Sequence, residues 1–132
     1  MGHSFFRLCY HIVFAPKYRR AVLRQEIEQQ VWDILREVSE SYGIYVHAVG
    51  GFDDHVHLVL AIPASMSVAD AVRIIKSVSS RLIKERIPSL SNFSWQVGYS
   101  AFTVRYKDVG VVIRYVKNQR KHHTKPGAKA PG

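Results

Sequence analysis

Two spacings of apolar residues alternate along this chain, and together they predict an ordered set of strands and helices. Residues 5–15, FFRLCYHIVFA, are dense in aromatic and β-branched side chains and stop at Pro16, as a strand would. Over about residues 24–42, Ile27, Val31, Ile34, Leu35, Val38 and Tyr42 recur at helical spacing, with Gly43 as the stop. IYVHAVG (44–50) and HVHLVLAI (55–62) return to strand character, and the GFDD between them predicts a hairpin. Ser67 and Asp70 have the spacing of a capping box, opening a helix whose apolar face is Val68, Ala71, Val72, Ile75, Val78 and Leu82 and which ends before Pro88. A further strand is predicted at 101–106, AFTVRY. Asp108 then caps a last helix running to about residue 123, with Val109, Val112, Ile113 and Val116 as its stripe.

The order β-α-β-β-α-β predicts an α+β fold: a ferredoxin-like antiparallel sheet with helices on one face, plus an added C-terminal helix. In that topology the strand at 55–62 is interior. No internal repeat is visible. A chain of 132 residues fits one domain, taken as 1–124, and residues 125–132, KPGAKAPG, carry no apolar period and read as a flexible tail.

Composition narrows the function classes. The single cysteine, Cys9, forms no intrachain disulfide and supplies no zinc cage alone, which fits a reducing compartment. No apolar run is long enough to span a membrane and no secretory signal is apparent, so a cytoplasmic protein without a membrane partner is expected. Nineteen Lys and Arg against ten Asp and Glu give a formal charge of +9, favouring a polyanionic partner. Glu26, Glu28, Asp33, Glu37 and Glu40, half of all the acids, cluster around the first helix. Beyond residue 101, by contrast, Asp108 is the one acid beside Arg105, Lys107, Arg114, Lys117, Arg120, Lys121, Lys125 and Lys129. That segregation, with the KYRR cluster at 17–20, points to a phosphate backbone.

Two constellations carry candidate chemistry. His55 and His57, two apart on a strand, share a face and can hold one ligand, although two histidines so spaced more often form a half-exposed polar face. Tyr115 and Gln119, four apart, lie on one flank of the last helix. His11 and His47 have no partner at ligand spacing and read as packing or surface histidines. Asp53 and Asp54 serve the turn or accept a hydrogen bond from a histidine. Trp95 and Phe102 fit either the core or a platform for unpaired bases, while the remaining tyrosines lack a glutamine four residues on. No glycine-rich loop leads into Lys-Ser or Lys-Thr, so no nucleotide cofactor is expected.

The ordered motifs YHIVFAPKYRR, DDHVHLVL, IKSVSSRLIK, WQVGYSAFTV and YVKNQRKHH resemble the single-tyrosine HUH transposases of small insertion sequences of the two-hundred type, with their domesticated relatives associated with repetitive palindromes. The resemblance covers nearly the whole chain. It implies that His55, His57 and Gln119 bind a divalent metal, Mg²⁺ or Mn²⁺, and that Tyr115 is the nucleophile. It further implies cleavage and rejoining of single-stranded DNA at hairpin-marked ends through a 5′-phosphotyrosine, in a homodimer that can exchange its C-terminal helices. Lys17, Arg19, Arg20, Arg73, Lys76, Arg81 and Lys84 are candidate DNA contacts. His122 and His123 match a terminal pair of the family but receive no catalytic role. Two other classes stay open on the residues: a non-catalytic single-stranded nucleic-acid-binding module, and a metal-dependent phosphodiesterase that activates water.

Overall fold

A computed structural model describes the backbone of residues 8–124 and side chains as far as Lys121; the proposed tail, residues 5–7 of the first predicted strand and the side chains of His122 and His123 lie outside the described residues. The elements are β1 (Leu8–Phe14), α1 (Glu28–Ser41), β2 (Tyr45–Phe52), β3 (His55–Ile62), α2 (Val68–Arg86), β4 (Ser100–Val104), α3 (Val109–Lys117) and α4 (Gln119–Thr124). The four strands form one sheet in the order β2-β3-β1-β4, and every neighbouring pair is antiparallel. This is the predicted α+β, ferredoxin-like arrangement, with β3 in the interior.

The period-two alternation of the strands divides the sheet into two unlike faces. Ile12 and Phe14 of β1, Val46 of β2, and Val56, Leu58, Leu60 and Ile62 of β3 join Val31, Leu35 and Val38 of α1 and Val72, Ile75 and Ile83 of α2 in the main core. The opposite face carries His11, His57 and Val59, and there Ala48 and Val59 pack against Val112, Ile113 and Val116 of α3. All eight residues of β3 are buried, because helices cover both of its sides.

The local signals act as the sequence suggests at two termini. Gly43 closes α1 with φ at +78°, a left-handed conformation that glycine adopts without strain, and its N–H donates to Glu40 O at 3.1 Å. Ser67 Oγ accepts from the N–H of Asp70 at 3.0 Å, opening α2. Elsewhere the structure corrects expectation. The helix expected from about residue 24 begins at Glu28, because residues 25–27 form a turn in which Ile27 N–H donates to Arg24 O. Its face also buries Trp32. β4 ends at Val104, since residues 106–108 wind into a 3-10 turn.

The last helix is two helices rather than one. Asn118 (φ −102°, ψ 17°) leaves helical geometry between α3 and α4. Nor does the Asp108 side chain cap α3, for its carboxylate takes the Arg105 Nε–H at 2.9 Å instead. Trp95 belongs to the core reading: it is 8% exposed, packs edge-on against Phe14 and Phe93, and donates its indole N–H to Ser79 Oγ at 2.9 Å. Phe102, in contrast, is 56% exposed.

Candidate active site

Gly50 decides where α3 can lie. It is paired with His57 across the β2–β3 ladder, and a Cβ built on it would fall 2.1 Å from the backbone carbonyl oxygen of Val116. Only a residue without a side chain lets the helix backbone come this close to the sheet. Seated there, α3 brings Tyr115 over the histidine face, and the break at Asn118 redirects the chain so that Gln119 points into it. Val116 and Gln119 are both buried, whereas Tyr115 stays 41% exposed.

Arg120 fixes the following turn. Its guanidinium donates to Glu28 Oε1 at 3.1 Å, to Asp53 Oδ1 at 2.9 Å and to Leu23 O at 3.1 Å, and it lies 4.9 Å from the centroid of the Phe52 ring. α4 is thereby tied to the start of α1 and to the β2–β3 turn. Burial disfavours the charged Arg120, but the bonds to Asp53 and Glu28 outweigh it, and the guanidinium is held above its ordinary pKa.

The site itself joins four elements. His55 Nδ1 is hydrogen-bonded to Asp54 Oδ1 at 2.8 Å, and its Nε2 faces Gln119 Oε1 at 3.5 Å. The Gln119 amide N–H donates to Tyr115 O at 3.1 Å, which identifies the end of the amide that turns toward the histidine. His57 Nδ1 is bonded to Nε2 of His11 at 2.7 Å. The rings of His55 and His57 are 5.0 Å apart, and the Tyr115 ring stands edge-on 5.8 Å from His57 and 6.1 Å from His11. His55, His57, Tyr115 and Gln119 line an open cleft of about 800 Å³ that also reaches Arg19 and Tyr99.

Electrostatics follow from burial and neighbours. Burial raises the Asp54 carboxyl, yet the hydrogen bond with His55 and the nearby Arg19 outweigh it, so Asp54 lies below the usual carboxylate range and stands ready as an acceptor. With a neutral His55, the proton sits on Nδ1 facing Asp54, and Nε2 presents a lone pair toward the amide oxygen of Gln119. Two acceptors facing each other at 3.5 Å suit a cation placed between them. Among the described residues no group of three or more His, Cys, Asp or Glu is arranged to hold a metal ion, so a cation here would draw on the amide oxygen as well as imidazole nitrogen. Burial also lowers the pKa of His11.

All four residues expected to carry chemistry, His55, His57, Tyr115 and Gln119, are therefore brought together. Of the histidines read as bland, His47 lies on β2 with Nε2 3.7 Å from Cys9 Sγ, away from the cleft, but His11 is part of the cluster. The expected cations are placed unevenly. Lys17, Arg19 and Arg20 occupy the loop after β1, where Arg19 approaches Asp54 at 3.5 Å. Arg73 and Arg81 pair with Asp70 and Glu85 on exposed turns of α2, on which Lys84 is also exposed. Lys76 donates to Gln96 O and Gly98 O at 2.6 and 2.9 Å, tying one wall of the cleft to α2; burial lowers its pKa.

Comparison with known proteins agrees with this architecture. Residues 4–119 match the family model described as "Transposase IS200 like". The chain is 33% identical over 124 residues to the transposase for insertion sequence element IS200 of Salmonella typhimurium, an alignment spanning 90% of this chain and 81% of that protein. It is 29% identical over 119 residues to the ISDra2 transposase TnpA of Deinococcus radiodurans, covering 86% and 85% of the two. A crystal structure of a Deinococcus radiodurans R1 protein assigned as a transposase superposes with a TM-score of 0.72 at 29% identity, over 90% of this chain and 95% of that one. A REP-associated tyrosine transposase bound to a REP hairpin shares the fold, with a TM-score of 0.66 at 16% identity over 94% and 73%. With the family model covering most of its length and the fold in keeping with it, this chain belongs to the IS200-like transposase family.

Proposed function

We propose that this protein cleaves and rejoins single-stranded DNA at hairpin-marked ends by a covalent 5′-phosphotyrosine route. The observation that carries the reading is the convergence of Tyr115 on His55, His57 and Gln119 in one open cleft, across elements far apart in sequence. A hydroxyl-bearing ring, half exposed and beside a cluster of imidazole nitrogens and an amide oxygen, suits nucleophilic attack on phosphorus.

His55 Nε2, His57 Nε2 and Gln119 Oε1 are the atoms that would hold a divalent cation, Mg²⁺ or Mn²⁺. Such a cation acts as Lewis acid and template for the scissile phosphate. Tyr115 loses its phenolic proton as its oxygen bonds to phosphorus; the bond from phosphorus to the 3′ oxygen breaks, and that oxygen leaves with a proton as a 3′-hydroxyl. One phosphodiester replaces another, so the reverse attack by a 3′-hydroxyl rejoins strands without a nucleotide cofactor. Arg19, Lys17 and Arg20 line the approach as phosphate contacts, with Arg73, Lys76, Arg81 and Lys84 extending them along α2. Phe102, exposed beside His11, is a platform for an unpaired base. The DNA partner in this reading is of the kind held by the REP-associated neighbour, and the acting form is a cytoplasmic homodimer. No helix among the described residues is long and apolar enough to cross a membrane.

The test is a denaturing gel of protein mixed with labelled single-stranded hairpin DNA and Mg²⁺ or Mn²⁺. A covalent protein–DNA band supports the proposal. Hydrolysed DNA without that band would select a phosphodiesterase using water, and intact DNA that shifts only on a native gel would select a non-catalytic binder. His55→Ala and His57→Ala should each abolish the band while retaining most hairpin affinity, which resides in the phosphate contacts.

A further inference from the structure

His11 sits on β1, the strand next to β3, and its side chain reaches the same face as the histidine pair. Its Nε2 is 2.7 Å from Nδ1 of His57, and the two rings stack at 5.0 Å between centroids. This repeats on His57 what Asp54 does on His55: in each case Nδ1 is engaged by a neighbour and Nε2 is the remaining ring nitrogen. The two nitrogens of an imidazole diverge, so a group bonded at Nδ1 is turned away from a ligand at Nε2. We propose that His11 is a positioning residue for the metal site, accepting the Nδ1 proton of His57 and so fixing the tautomer and ring orientation that aim His57 Nε2 at the cation. The inference rests on the metal-site reading given above.

The proton count supports this assignment. A neutral imidazole has one donor nitrogen and one acceptor, so a His57 whose Nε2 lone pair serves a cation must carry its proton on Nδ1. The group facing that proton must then be an acceptor. His11 accepts at Nε2 only with its own proton on Nδ1, the arrangement that a neutral ring next to a donor adopts. Ligating histidines are held in this manner by carboxylates, carbonyls or water; here one histidine has a carboxylate, and the other has an imidazole from the adjacent strand. His11 is not a ligand in this scheme, because its own Nε2 is occupied by His57. Its edge contact with the Tyr115 ring adds packing that keeps the two histidine rings and the tyrosine in mutual register.

The experiment measures Mn²⁺ binding to DNA-free protein by electron paramagnetic resonance, alongside the tautomer of His57 by nitrogen-15 NMR of the metal-free wild type. His11→Phe, which keeps a ring but has no acceptor, should weaken Mn²⁺ binding about 10- to 100-fold. His11→Gln, whose amide oxygen can accept, should recover most of that loss. Both variants should bind hairpin DNA in chelator like the wild type. The wild-type His57 should be the Nδ1–H tautomer. Wild-type Mn²⁺ affinity in His11→Phe, or an Nε2–H tautomer in the wild type, would overturn the proposal. His57→Ala separates the two readings: if it loses Mn²⁺ while His11→Phe does not, the positioning role alone fails, and if it binds as tightly as the wild type, the metal site falls with it.

Discussion

Gly50→Ala perturbs the site without altering any residue in it. The added Cβ would stand 2.1 Å from Val116 O and 2.9 Å from its carbonyl carbon, where real Cβ atoms do not come closer than 3.0 Å. Both atoms belong to helix backbone, so no rotamer change relieves the clash. α3 must withdraw from β2 by about 1 Å, and a misplacement of that order costs roughly 100-fold in rate at a site that depends on alignment. The packing of Val116 on Ala48 and Val59 loosens as well, a strain of about 1–3 kcal/mol by comparison with other overpacked positions. The assays are single-turnover formation of the covalent adduct with saturating hairpin DNA, and thermal unfolding. Adduct formation should slow about 100-fold, with a lowered unfolding midpoint and little change in hairpin affinity. An adduct rate and midpoint equal to the wild type would refute the argument that Gly50 sets the seat of the tyrosine helix.

Other outcomes follow from the same contacts. Arg120→Met leaves the Glu28 and Asp53 carboxylates facing each other; since Asp53 remains 34% exposed, the loss should be about 2 kcal/mol in urea unfolding, accompanied by weaker Mn²⁺ binding because α4 no longer holds Gln119 in place. Hairpin affinity should fall steeply with salt, and Lys17→Ala or Arg20→Ala should each reduce the log–log slope by about one; a flat salt response would contradict a backbone-binding surface. Mixing Tyr115→Phe with His57→Ala tests subunit exchange: cleavage restored in the heterodimer means that tyrosine and histidines of a working site come from different chains, and a verified heterodimer that stays inactive means that they come from one.

Much of this was legible because the chain's local and tertiary requirements coincide. The bounds of β3 match the apolar run HVHLVLAI, since a two-residue turn and a proline bracket it. The glycine after α1 and the serine before α2 act where they stand. His11 was hidden because its partner lies across strands, and strand register is a tertiary property. A usable signal did exist: the β-α-β-β-α-β order places the first strand beside the third, and alternation puts Cys9, His11 and Val13 on one face of it. The break at Asn118 had no such signal, as the apolar spacing of α3 continues smoothly to Val116. It accompanies the ties of Arg120 to Glu28 and Asp53, 92 and 67 residues away along the chain. Trp95 joined the core because Ser79, at a buried turn of α2, satisfies its N–H.

In the proposed reaction one oxygen atom, the phenolic oxygen of Tyr115, becomes bonded to DNA. Tyr115→Phe keeps the ring edge against His57 and His11 and the helix around it, so fold and hairpin binding should be retained. The direct measurement is mass-spectrometric peptide mapping of the wild-type adduct formed with Mg²⁺ or Mn²⁺, run beside the Phe variant on the same DNA. The expected result is a nucleotide-bearing peptide modified at Tyr115 in the wild type and no adduct in Tyr115→Phe. An adduct mapped to another residue, or one that forms normally in Tyr115→Phe, would contradict it.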